Sequence, residues 1–129
     1  MTSTEAASLS LRGLRVLIVE DEAFVAMALE EGFEKAGAEV VGPAATLAEA
    51  TEYAEAEKID AAVLDIDLAG LDVFPAADIL RRRGVPFVFQ TGHGQRRELA
   101  ADYPEVKVCK KPVSPKALVE VVHELLPAS

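Results

Sequence analysis

From Arg15 onward, short β-branched runs alternate with stretches whose apolar residues recur at helical spacing. Val16-Leu17-Ile18-Val19 has strand length and lies between Gly13 and a run of charges, which predicts a buried strand. Across residues 23–35, Phe24, Met27, Ala28 and Phe33 fall at helical spacings, and Gly37 stands where a helix C-terminus places glycine. Residues 39–41 form a short second strand closed by Gly42-Pro43. Thr46 is then an N-cap, with Glu49 completing a capping box, for a helix running to about Glu57. Further on, the pattern predicts strands at 61–64, 86–89 and 106–109. It predicts helices at 73–83, 95–101 and 115–126, the last with Ser114 as N-cap and Pro115 at its first position.

Five strands, each followed by a helical pattern, imply crossover connections. The expected architecture is α/β: a doubly wound, five-stranded parallel sheet covered on both faces. Ligands of such sheets bind beyond the carboxyl ends of the strands, near the point where strand order reverses.

Composition narrows the picture. A length of 129 residues suits a single domain, and half the residues are hydrophobic, enough for a buried core. The net charge of −9 disfavours nucleic acid or an anionic membrane as a partner, since both are bound through Lys and Arg. Cys109 is the sole cysteine, which excludes an intramolecular disulfide framework and a thiolate zinc cluster and fits a reducing cytoplasm. The longest apolar run, residues 23–29, is far too short to span a bilayer. Residues 1–12 lack the features of a signal peptide and are expected to be a disordered tail, leaving the domain over 13–129.

Chemistry-bearing residues stand just past the strands: Glu20-Asp21 after the first, Asp65 after the third, Thr91 after the fourth and Lys110-Lys111 after the fifth. Taken singly, each has an ordinary explanation as a helix cap, a turn or an exposed connector. Together they place three carboxylates, a hydroxyl and an ammonium at one sheet edge. Clustered carboxylates repel unless a cation offsets them, and a hard divalent ion such as Mg²⁺ suits this donor set. No His or Cys converges there, which argues against zinc. With Mg²⁺ present, Asp65 is a candidate nucleophile toward phosphorus, with Thr91 and Lys111 placed to contact phosphoryl oxygens.

These residues resemble the receiver domain of two-component response regulators. The resemblance covers residues 15–126 and rests on Val-Leu-Ile-Val-Glu-Asp-Glu at 16–22, Val-Leu-Asp-Ile-Asp-Leu at 63–68, Phe-Gln-Thr-Gly at 89–92 and Lys-Lys-Pro at 110–112. It implies a flavodoxin-like strand order 2-1-3-4-5 and a phosphoacceptor at Asp65. The metal would be bound by Asp21 and Asp65 directly, by Glu20 through water and by the backbone carbonyl of Asp67. Thr91 would be the switch residue and Lys111 the phosphate contact, with a cis Lys111-Pro112 bond. Receivers usually carry an aromatic residue three positions before this lysine, where Val108 stands. Residues 73–78 and 84–94 look like the FAT GUY receiver subfamily, with Gln90 and Gly94 departing from its motif.

The resemblance further implies a sensor histidine kinase or phosphotransfer protein as donor and an unidentified downstream protein as target. The chain would act as a stand-alone receiver, with no output domain after Ser129, as a monomer or a phosphorylation-dependent dimer. Two other classes remain open. Asp65-Ile66-Asp67 superficially resembles the Asp-X-Asp of haloacid-dehalogenase-type phosphatases or of Toprim nucleases, and a pseudo-receiver would serve only as an interaction module. Elsewhere, His93 and His123 read as surface histidines, Cys109 as core packing beside the site, and Arg81 to Arg83 as solvated helix surface.

Overall fold

A computed structural model describes residues 10–92 and 97–127. The elements in chain order are β1 (Arg15–Val19), α1 (Ala23–Lys35), β2 (Glu39–Ala44), α2 (Leu47–Ala56), β3 (Ala61–Asp65), β4 (Asp67–Leu68), β5 (Leu71–Asp72), α3 (Phe74–Arg82), β6 (Phe87–Thr91), α4 (Arg97–Asp102), β7 (Val108–Lys110) and α5 (Pro115–Leu125). Five strands form one sheet in the order β2-β1-β3-β6-β7, and every pairing in it is parallel. With the small β4-β5 hairpin left out of the count, this is the expected 2-1-3-4-5 order of a doubly wound fold.

Strand alternation divides the core in two. Leu17, Val19, Ala62, Leu64, Phe87 and Phe89 face α2, α3 and α4, where Ala50, Ala54, Ala76, Ala77 and Leu80 receive them. Val16, Ile18, Ala61, Val63 and Val88 face the other way, against Leu29 and Phe33 of α1 and Leu118 and Val122 of α5. β3 lies between these layers with all five residues buried, which accounts for its unbroken apolar run up to Asp65. None of the described helices is long and apolar enough to cross a membrane.

The expected caps form: the Thr46 and Ser114 hydroxyls accept from the backbone N–H of Glu49 and Ala117, both at 3.1 Å, while Glu49 returns a bond to the N–H of Ala45. Several boundaries differ from the sequence expectation. β2 runs through Gly42-Pro43, a cis bond, to Ala44, its register against β1 shifting between Leu17 and Val19. Proline is tolerated there because β2 is an edge strand. β6 extends past Phe89 to include Gln90 and Thr91, and β7 is confined to 108–110. α4 starts at Arg97; the earlier part of the expected helix at 95–101, with His93 and Arg96, lies outside the described residues.

The core-facing side of α1 is also different. Ala26, Leu29 and Phe33 are buried, whereas Phe24 is 86 % exposed and Met27 62 % exposed. Residues 24–29 are all apolar, so periodicity fits more than one face. The buried side packs closely on α5 at Gly32, where an added Cβ would lie 2.6 Å from Cβ of Pro115.

Leu11, assigned by sequence to the tail, is fully buried and its N–H donates to the carbonyl of Ala36 at 2.7 Å; residues 1–9 lie outside the described set. Arg81 and Arg83 are exposed but engaged. Arg83 donates to the carbonyls of Ala54 and Glu57 at the end of α2. Arg81 donates to the carbonyl of Asp102 at 2.6 Å and lies 4.3 Å above the Tyr103 ring.

Candidate functional site

The site forms where the strands run out. The N–H of Glu20 bonds the carbonyl of Ala44 at 2.9 Å, so the chain continues beyond β1 in register before turning into α1. Glu20 follows Ile18 in the alternation and turns inward, where it is 1 % exposed. Val19 pairs with Leu64 and Asp65 pairs with Gln90, which puts Glu20, Asp65 and Gln90 at one level across β1, β3 and β6. Lys111 follows β7, with its N–H bonded to the carbonyl of Thr91 at 2.7 Å and a cis bond to Pro112.

These placements bring Glu20, Asp21 and Asp65 together: each offers a carboxylate oxygen, all within 4.8 Å of one another. The Lys111 ammonium enters the group, donating to Asp65 Oδ2 at 2.8 Å, to both oxygens of Glu20 at 2.9 and 3.1 Å, and to Glu22 Oε1 at 3.3 Å. Asp65 Oδ1 accepts from the N–H of Asp67 at 3.3 Å. Asp21 Oδ2 accepts from the N–H of Ala69 at 3.1 Å. Ala69 and Gly70 make the tight turn between β4 and β5, both with positive φ (53° and 90°), as a two-residue hairpin turn of this hand requires. The hairpin thus lies against the acidic cluster, a placement its two-residue strands gave no periodicity to predict.

Burial dominates the electrostatics of Glu20 and pushes its pKa up to about 7; the Lys111 hydrogen bond opposes this and the Asp65 charge adds to it. Burial likewise works against the Lys111 ammonium, but the hydrogen bonds and charges of Asp65 and Glu20 outweigh it and hold its pKa above the usual lysine value. One ammonium therefore faces more carboxylates than it can neutralise. The donor set is all hard oxygen, which suits a small divalent cation and not zinc.

The other expected residues lie nearby. Thr91 ends β6 and is 6 % exposed. Asp67 is exposed at the start of β4, its own Oδ1 accepting from the N–H of Gly70 at 2.9 Å. Val108 is 38 % exposed on β7, and Cys109 packs half-buried against the α1-α5 side of the core, where burial pushes its thiol pKa up. Sequence reasoning missed Gln90, which is 1 % exposed and donates from Nε2 to Glu20 Oε1 at 3.1 Å. Its signals in sequence are its departure from the subfamily motif and an uncharged polar residue directly after the apolar run of a buried strand.

A sequence profile of the response regulator receiver domain matches residues 16–123. The transcriptional regulatory protein PdtaR of Mycobacterium tuberculosis is 37 % identical over 112 residues, 84 % of this chain and 55 % of that protein. The phyllosphere-induced regulator PhyR of Methylorubrum extorquens is 36 % identical over 117 residues, 86 % of this chain and 43 % of that one. The chain thus spans about half the length of the curated relatives it matches. Among solved structures, the response regulator PhyR from Brucella abortus superposes with a TM-score of 0.79 at 33 % identity, over 96 % of this chain and 52 % of that one. A CheY-like receiver domain protein from Methanospirillum hungatei gives 0.76 at 26 %, over 91 % and 93 %. Fold, acidic strand edge and family profile agree, and the chain belongs to the response regulator receiver domains.

Proposed function

We propose that the chain accepts a phosphoryl group on Asp65, in a Mg²⁺-dependent reaction, from a sensor histidine kinase or phosphotransfer protein in the cytoplasm. The modified domain then signals by altered protein–protein contact or serves as a phosphate shuttle or sink. The motifs at 73–78 and 84–94 support a place in the FAT GUY subgroup. One observation carries the reading: the Asp65 carboxylate sits at the end of the central strand, beside two further carboxylates and 2.8 Å from an ammonium.

In the transfer, a carboxylate oxygen of Asp65 attacks phosphorus. The O–P bond forms as the P–N bond of the donor phosphohistidine breaks, and the bonding pair stays on the imidazole nitrogen. Lys111 pairs with one phosphoryl oxygen, and the Thr91 hydroxyl donates to another. Glu20, Asp21, Asp65 and the backbone carbonyl of Asp67 would hold Mg²⁺, which supplies neutralisation of the phosphoryl charge. The backbone N–H of Asp67 keeps Asp65 oriented. Attack of water on the acyl phosphate releases orthophosphate and restores the carboxylate.

Intact mass after incubation with acetyl phosphate and Mg²⁺ tests this. Wild type gains one phosphoryl group and Asp65→Asn gains none; equal modification of both would overturn the proposal, and sustained turnover of a phosphomonoester would point to a phosphatase instead.

A further inference from the structure

Gln90 is a buried polar side chain on a strand face that is otherwise apolar below it, with Val88 two residues back in the core. Burying a carboxamide is costly without partners, and this one donates to a group 70 residues away, across the intervening strand that carries Asp65. Its backbone adds to the arrangement: the carbonyl of Gln90 accepts from the N–H of Ile66 at 3.0 Å, so β6 also anchors the chain just past Asp65.

The donors around Glu20 are of two kinds. Lys111 contacts both carboxylate oxygens, but as a cation it competes for the charge that a metal ion would take, and in the proposed reaction it turns to a phosphoryl oxygen. The N–H of Glu22, at 3.1 Å from Oε2, and the carboxamide of Gln90, at 3.1 Å from Oε1, are neutral. They can hold the carboxylate in one orientation without opposing a cation. Each serves a different oxygen, so the pair sets both the position and the rotation of the group.

We infer that Gln90 is a positioning residue that orients Glu20 toward the divalent cation, with its carboxamide N–H remaining on Glu20 Oε1 when the cation is bound. This rests on the proposed Mg²⁺ site and deepens it. Partners that orient a metal-binding group in this way are worth 10-fold or more in affinity in other metal sites, and loss of the Gln90 donor is expected to weaken cation binding by about 10-fold.

The test is Mn²⁺ binding to the free protein, followed by electron paramagnetic resonance, in wild type, Gln90→Met, Glu20→Gln and the double variant. Methionine keeps the length and volume of the side chain and removes the N–H. Gln90→Met is expected to weaken binding by about 10-fold alone and by less than about 2-fold in the Glu20→Gln background. An unchanged affinity, or an equal loss in both backgrounds, overturns the inference while leaving the cation site standing. Wild-type binding no tighter than that of Glu20→Gln overturns the site reading as well. A measurement on wild type alone covers the case of a variant that does not fold: the Gln90 side-chain amide protons should stay protected from solvent exchange when Mg²⁺ is added. Loss of that protection would overturn the inference.

Discussion

Lys111 Nζ stands 2.8 Å from Oδ2 of Asp65, so the candidate phosphoacceptor and the ammonium proposed to receive the phosphoryl charge are paired before any donor arrives. β3 and the β7-α5 connection supply the two partners, 46 residues apart in sequence. The pairing also means that a cation entering the cluster meets a positive charge already in place.

Removing that charge should therefore act in opposite directions on folding and on cation binding. In Lys111→Met, with a chelator present, Glu20 and Asp65 lose their shared counter-ion, and urea unfolding is expected to show a loss of about 3 kcal/mol. Added Mg²⁺ should recover a larger part of the stability than it adds to wild type, while phosphorylation by acetyl phosphate slows. A variant as stable as wild type in chelator would contradict the pairing.

Glu20 gives a pH dependence of defined sign. Its pKa rises from the ordinary glutamate value of 4.5 to about 7 in the fold, so the native state holds this proton more tightly than the unfolded chain does. The resulting stabilisation is complete below 4.5 and is lost as pH rises toward about 7. The difference in unfolding free energy between wild type and Glu20→Gln, measured without metal across this window, should fall with rising pH. Cation binding requires the ionised carboxylate, so Mn²⁺ affinity should increase from about pH 6 to about pH 8 in wild type and stay nearly level in Glu20→Gln.

Phe24 and Met27 expose apolar surface on the first turns of α1, directly after the Glu20-Asp21-Glu22 segment that forms one wall of the site. This apolar surface adjoins the site at which the proposed donor protein would have to dock. The double variant Phe24→Ala, Met27→Ala should keep its stability within about 0.5 kcal/mol, since neither residue is in the core. It should accept phosphate from acetyl phosphate at the wild-type rate and more slowly from a histidine kinase that phosphorylates wild type. Equal rates from the kinase would remove α1 from the docking surface.

Gly32 is expected to resist a substitution that helix propensity favours. Alanine is worth about 1 kcal/mol over glycine in a helix interior, yet its Cβ would meet Cβ of Pro115 at 2.6 Å, and overpacking costs roughly 1–3 kcal/mol. Gly32→Ala should be destabilised by about 1 kcal/mol in a urea titration. A stabilised variant would mean that α1 and α5 separate at little cost.

The amino-acid sequence by itself determined the order and type of the main elements and the edge where chemistry would gather. Buried parallel strands write themselves as unbroken apolar runs, and the acidic and basic residues that interrupt those runs mark where the strands end. The positions of Glu20, Asp21 and Asp65 at the strand edge were legible for that reason, and those of Thr91 and Lys111 as polar residues at or just past the ends of later strands.

Tertiary structure alone decided features that depend on neighbours distant in the chain. α1 is apolar on several sides over residues 24–29, and packing puts Ala26, Leu29 and Phe33 in the core and leaves Phe24 and Met27 outside, with Gly32 giving Pro115 of α5 room to approach. Leu11 joins the core through a bond to Ala36 that no local pattern specifies. The hairpin at 67–72 is too short to show a period, and its turn requires the positive φ of Ala69, which alanine does not advertise. Gln90 acquires its meaning from strand register: pairing β3 with β6 at Asp65 and Gln90 places a neutral donor within 3.1 Å of Glu20, and a shift of one residue would turn it to the opposite face of the sheet.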